Sequence, residues 1–128
     1  MVGLVVVSHS RDAAAGIVEV AAQMAGEDAS IVAAGGEADG GIGTSAPRIG
    51  EALEAADDGD GVAVLVDLGS AVMNADLAIE SGSVDAEIAD APVLEGAVEA
   101  AVEASAPDAT LAEVVAAAER AWDTRKLG

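Results

Sequence analysis

The stretch Gly3-Leu4-Val5-Val6-Val7-Ser8-His9-Ser10 ends an aliphatic, β-branched run on the only histidine of the chain, set between two hydroxyls. A run that is short, continuous and bounded by polar residues reads as a buried strand. A helical pattern follows at once, which puts His9 in a strand-to-helix turn. In an open α/β sheet that turn lies at the carboxyl end of the strand, where ligands bind. His9 is therefore the first candidate for chemistry.

Outward from this turn the same alternation repeats. Ser10 to Asp12 can open a helix, with Asp12 favourable at the positive helix end, and Ile17, Val20, Ala21 and Met24 recur at helical spacing as its apolar face. Gly26 ends that helix, and Ala29 to Ala34 reads as a second strand. Residues 35–45 hold five glycines in eleven positions and can only be a long loop. It feeds a helix capped by Thr44 or Ser45, with Pro47 in its first turn and Ile49, Leu53 and Ala56 on one face. After the turn Asp57-Asp58-Gly59-Asp60-Gly61, Val62 to Val66 form a third strand. It ends in Asp67-Leu68-Gly69-Ser70, and a helix follows through Met73, Asp76 and Leu77 to about Glu80. A short strand over Glu87 to Ala89 leads past Pro92 into a helix bearing Leu94, Val98 and Val102. Thr110 and Glu113 form a capping box for a last helix that displays Leu111, Val114, Val115, Ala118 and Trp122. Alternating strands and helices imply an α/β fold, a parallel sheet with helices on both faces. There is no repeat and no linker, so residues 1–128 read as one domain.

Composition bounds the function. The chain has 128 residues, 52% hydrophobic, with no Phe or Tyr and one Trp, so Val, Ile, Leu and above all Ala must fill its core. Its 24 acidic and 5 basic residues give a net charge of −19. Nucleic acid and anionic membrane, both read through clustered Lys and Arg, are excluded as partners. Acidity with one lysine, Lys126, also resembles proteins of salt-loving organisms, in which high ionic strength screens self-repulsion. Cysteine is absent, which removes disulfides, thiol catalysis and zinc–thiolate sites. No secretory leader and no membrane-length apolar segment is visible, so the expectation is a cytoplasmic protein.

Three strand ends meet at one edge of such a sheet: His9, the glycine loop, and Asp67-Leu68-Gly69-Ser70. His9 could act as a general base, a metal ligand or a nucleophile. No second His and no Cys completes a metal site, and the few polar groups supply a poor pocket for general-base work. A nucleophile that takes and gives a phosphoryl group needs less: an exposed imidazole, an acceptor on its other nitrogen, and backbone N–H groups for the phosphoryl oxygens. Ser8, Ser10, helix N-termini and Asp67 could provide these. A surface or capping histidine satisfies the same spacing. The glycine loop follows strand 2 rather than strand 1 and lacks G-K-[ST], so neither dinucleotide-binding nor P-loop chemistry fits. It lets backbone approach His9 or a partner, or it is a plain connection. Asp67 could orient the imidazole, or it or Ser70 could cap the helix that follows. A response-regulator aspartate is disfavoured because strand 1 ends in Ser-His-Ser rather than in acidic residues.

Leu4-Val5-Val6-Val7-Ser8-His9-Ser10, Gly41-Ile42-Gly43-Thr44, Val64-Leu65-Val66-Asp67-Leu68-Gly69-Ser70-Ala71 and Ala91-Pro92-Val93-Leu94-Glu95-Gly96 together resemble the phosphotransferase subunits of dihydroxyacetone kinase, the DhaM family, within the mannose-type IIA domains of the phosphotransferase system. The motifs come in that family's order and span nearly the whole chain. The resemblance implies a doubly wound sheet of order 2-1-3-4, a homodimer, and His9 phosphorylated on Nε2 by the carrier protein HPr at the expense of phosphoenolpyruvate. It further implies transfer to ADP on the subunit DhaL, which with DhaK phosphorylates dihydroxyacetone. Thr44 and Asp67 would line the histidine, and Gly43, Leu68, Gly69 and Ser70 would form the neighbouring turns. No cofactor or metal is implied. Some family members carry further domains behind this one, so this chain would meet a free carrier. The alternatives are a IIA component of a mannose-type sugar transporter, or a non-catalytic dimeric binding module.

Overall fold

The structure, a computed structural model, describes residues 1–128. Its elements run β1 (Gly3–Ser8), α1 (Arg11–Met24), β2 (Ile31–Gly35), α2 (Ala46–Ala56), β3 (Val62–Val66), α3 (Ser70–Ser81), β4 (Ala86–Ile88), α4 (Val93–Ala104) and α5 (Leu111–Glu119), closed by a 3₁₀ turn over Arg120–Asp123. The four strands are all parallel and lie in the order β2-β1-β3-β4.

β1 sits centrally because both of its edges are paired, Val5 beside Val32 on one side and Val64 on the other. Side chains alternate along a strand, so one sheet supplies two cores. Leu4, Val6, Ala63 and Leu65 face α1, α4 and α5, while Val5, Val7, Val62 and Val64 face α2 and α3. Leu4, Val5, Val6 and Val7 are fully buried, worth roughly 1.5–3 kcal/mol each. The strand that presents His9 is thus firmly anchored.

This winding creates a crevice. The chain leaves β1 through α1 toward β2 on one face, and leaves β3 through α3 toward β4 on the other. The carboxyl ends of β1 and β3, neighbours in the sheet, border the point where the winding reverses, where ligands bind in open α/β sheets.

The helices meet the sheet through alanine. α1 buries Ala14 and Ala21 while Val20 and Met24 are exposed; α3 buries Ala71, Ala75 and Ala78 while Met73 and Leu77 are exposed; α4 buries Ala97, Ala100, Ala101 and Ala104 while Leu94 and Val102 are exposed. Of the face expected for α1, Ala21 is buried and Ile17 packs against the core while Val20 and Met24 lie outward; of the apolar residues expected along α4, Leu94 and Val102 lie outward and Val98 is half-buried. Two stripes of each helix satisfy helical spacing, and hydrophobicity alone selects the bulkier. Strand side chains already occupy most of the gap between layers, and close-packed interiors leave space there only for a methyl group. In α2 the expected face of Ile49, Leu53 and Ala56 is the buried one. Trp122 lies beyond α5 in the 3₁₀ turn, mostly exposed, its Nε1–H donating to the Asp90 carbonyl at 2.8 Å. The sheet strands also shift slightly: β2 starts at Ile31 and β4 ends at Ile88.

Candidate functional site

Three backbone bonds just past the strand ends fix the turn that carries His9. Gly36 N–H donates to Ser8 C=O at 3.1 Å, Gly43 N–H to His9 C=O at 2.9 Å, and Asp67 N–H to Val7 C=O at 3.1 Å. The glycine loop is thereby strapped to one side of His9 and the end of β3 to the other. Gly35 makes the close approach possible. A Cβ there would lie 2.6 Å from the Ser10 carbonyl oxygen and 2.7 Å from Arg11 Cα. At Gly43, φ is +143°, a conformation that L side chains rarely adopt.

Asp67 gathers the side chains. Its Oδ2 accepts from the His9 N–H and from the Ser8 hydroxyl, both at 3.0 Å; its Oδ1 accepts from Leu68 N–H at 2.8 Å and lies 3.0 Å from His9 Nδ1. Ser8 is itself buried and passes the chain onward by accepting the Ser10 N–H at 3.1 Å. Burial of the Asp67 carboxylate works to raise its pKa, but the His9 N–H, the His9 ring and the Ser8 hydroxyl outweigh it and hold the group below the usual carboxylate range.

The tautomer follows. An ionised carboxylate only accepts, so Nδ1 carries the proton and Nε2 keeps its lone pair. Ser70 Oγ lies 2.9 Å from Nε2, so its hydroxyl donates to that lone pair. The imidazole is about a quarter exposed, enough for an incoming group to reach Nε2. α1, α2 and α3 all begin at this edge, since each follows a parallel strand, and they direct the positive ends of their dipoles toward it. The result is an imidazole whose Nε2 lone pair is fixed in direction at an edge where three helices begin.

Most of the expected residues converge here, in differing roles. Ser10 caps α1, accepting the Ala13 N–H at 3.2 Å. Gly69 is the N-cap of α3 and no side chain caps that helix, so Asp67 is committed to His9 and Ser70 to Nε2 rather than to capping. Leu68 contributes its N–H to Asp67 and leaves its side chain mostly exposed. Thr44 bonds elsewhere: its Oγ1 and carbonyl accept from Asn74 Nδ2 at 2.7 and 3.3 Å, and no bond to the imidazole forms.

Asn74 is a residue the sequence reading missed, although it lies one helical turn beyond Ser70, on the same face of α3. Arg11 and Arg48 were missed as well. They are the only basic side chains before Arg120, and both border the Gly35-Gly36 turn. Arg48 Nη2 lies 3.4 Å from the Gly35 carbonyl, and its Nε is buried without a partner. No group of three or more His, Asp and Glu side chains is gathered for a metal ion, and no helix is long and apolar enough to cross a membrane.

Comparison with known proteins gives a consistent set of relatives. The family model described as the fructose IIA component of the phosphotransferase system matches residues 3–115. The phosphoryl donor subunit DhaM of phosphoenolpyruvate-dependent dihydroxyacetone kinase 1 from Listeria innocua serovar 6a is 42% identical over 74% of this chain and 75% of its own. The phosphotransferase subunit DhaM of Lactococcus lactis subsp. lactis is 39% identical over 74% and 76%. A DhaM subunit from Providencia stuartii is 34% identical over 98% of this chain but only 28% of its own length. Among solved structures, EF1359, a protein of unknown function, superposes with a TM-score of 0.80 at 33% identity over 93% of both chains.

Proposed function

Because the chain belongs to the DhaM family of mannose-type IIA phosphotransferase components, we propose that it is the phosphoryl donor subunit of a phosphoenolpyruvate-dependent dihydroxyacetone kinase and that His9 carries the group. The observation that supports this most directly is the triad of Asp67, His9 and Ser70, which leaves Nε2 as an unprotonated nucleophile at the sheet edge.

The chemistry proceeds in two displacements. The Nε2 lone pair attacks the phosphorus of a phosphohistidine on the HPr carrier; the N–P bond to the carrier breaks as the new one forms. The Nδ1 proton stays in place, and Asp67 stabilises the positive charge that develops on the ring. Ser70 releases Nε2 as the bond forms and donates to a phosphoryl oxygen instead. In the second displacement a terminal phosphate oxygen of ADP on DhaL attacks, the Nε2–P bond breaks, and the neutral imidazole returns. DhaL with DhaK then uses the ATP on dihydroxyacetone. Both encounters are between proteins in the cytoplasm.

Incubation with phosphoenolpyruvate, enzyme I and HPr is expected to give an acid-labile, base-stable adduct that His9→Ala abolishes. Addition of DhaL with ADP is then expected to discharge it. An unlabelled wild type, or undiminished labelling of His9→Ala, refutes the proposal. A label that sugar-permease subunits discharge and DhaL does not assigns the chain to transport instead.

A further inference from the structure

We infer that Asn74 is a positioning residue which turns Thr44 into a hydrogen-bond donor for the phosphoryl group; this rests on His9 being the phosphoryl carrier. Asn74 Nδ2 lies 2.7 Å from Thr44 Oγ1 and 3.3 Å from the Thr44 carbonyl oxygen. The carbonyl fixes which end of the amide faces Thr44, because a flipped amide would set two acceptor oxygens against each other. An NH₂ group only donates. Thr44 Oγ1 must therefore accept, and its single proton is left for another partner. No protein acceptor takes that proton. An arriving phosphoryl group is an acceptor only, the complement this arrangement requires.

Position supports the same reading. Thr44 follows Gly43, whose N–H holds the His9 carbonyl at 2.9 Å. Asn74 stands four residues after Ser70 on α3, whose hydroxyl lies 2.9 Å from Nε2. Cβ atoms at that spacing are about 5–6 Å apart, so Thr44 is tied to α3 one turn from Ser70, the residue that meets the reacting nitrogen. Ser70 and Thr44 then approach the phosphoryl oxygens from two elements, α3 and the glycine loop. Ser70 is held by the imidazole itself, whereas Thr44 needs Asn74 to prevent it from spending its proton on a backbone carbonyl.

The test compares Thr44→Val, Thr44→Ser, Asn74→Ala and the double variant Thr44→Val/Asn74→Ala, each phosphorylated through enzyme I and HPr. Thr44→Val is expected to slow phosphorylation about tenfold to a hundredfold, below the ~10²–10³ of an oxyanion-hole donor in a closed site. Thr44→Ser should restore most of it. Asn74→Ala should be slowed to a similar degree, and the double variant no further than Thr44→Val. A second readout separates donation from bracing. A donor stabilises the phosphoryl dianion, so the ³¹P titration of phosphohistidine should move to higher pH in Thr44→Val and Asn74→Ala.

A ³¹P titration unmoved in both variants overturns the inference, as does a double variant that falls well below Thr44→Val. Should Thr44→Val not fold, Asn74→Ala reads the pair from its other member by the same titration. A wild type that takes no label on His9 refutes the functional proposal beneath it, whereas a labelled wild type with unaffected variants refutes this step alone.

Discussion

At the scale of the residue, Asp67 does several jobs with one carboxylate. It holds Ser8 and the His9 backbone through Oδ2, and the imidazole and Leu68 through Oδ1. Asp67→Asn keeps the shape but places an amide NH₂ where acceptors are needed, which favours the wrong imidazole tautomer. An analogous Asp→Asn change behind a catalytic histidine costs ~10⁴ in rate. Here, without a third group on an enclosed nucleophile, a loss of about 10²-fold or more in phosphoryl uptake is expected, measured by single-turnover labelling. The same carboxylate contributes to acid stability. Its folded pKa lies below the ordinary value of about 3.9. Its contribution is fully present above that value and is lost as pH falls through the lower, folded one. Unfolding free energy followed by denaturant titration from pH 6 to pH 2 should fall less steeply below about pH 4 in Asp67→Asn than in the wild type. Parallel curves would show that Asp67 is not linked to stability.

At the scale of the element, the site depends on how closely α1 starts against the end of β2. Gly35 permits that approach, and the atoms a Cβ would meet, Ser10 O and Arg11 Cα, are backbone. Backbone cannot swing aside as a long side chain can. Gly35→Ala should therefore cost about 1–3 kcal/mol by overpacking, read by chemical denaturation, and should displace the start of α1 together with Ser10 and His9. Phosphoryl uptake should fall in the folded fraction as well. Gly16, whose Cβ would meet nothing within 4 Å, provides the control: Gly16→Ala, in the middle of α1, should stabilise by up to ~1 kcal/mol. Element boundaries were legible in the sequence because their signals are local. Ser10 and Ser45 cap α1 and α2, and the capping box of Thr110 and Glu113 opens α5. Which residues of α1 and α4 turn inward was legible only in part, because whether Ala or a larger residue does so depends on the width of the gap left by strands distant in sequence.

At the scale of the molecule, charge is the dominant property. A net of −19 on 128 residues makes folding work against self-repulsion. Salt shortens the range of that repulsion, from a Debye length of about 10 Å at 0.1 M to about 3 Å at 1 M. The unfolding midpoint is expected to rise by several degrees between 0.05 and 2 M KCl, with most of the gain below about 1 M. A flat or falling midpoint in thermal melts would remove the link between this composition and salt. Arg11 and Arg48, both without a carboxylate partner, stand at the edge that carries His9. They are the cations nearest the Gly35-Gly36 turn.

The sequence by itself determined the alternation of strands and helices, the strand-end position of His9 and the motifs that mark the family. Each is written in neighbouring residues: β-branched runs, caps, glycine clusters. Only the tertiary structure decided that Asp67, 58 residues from His9, holds Nδ1 rather than capping α3, that Ser70 reaches Nε2, and that Asn74 binds Thr44. Those bonds exist because β1 and β3 lie side by side in parallel register while the glycine loop folds back onto the end of β1 and meets α3. Strand adjacency is set by the packing of two cores across one sheet, and no local pattern of residues encodes it.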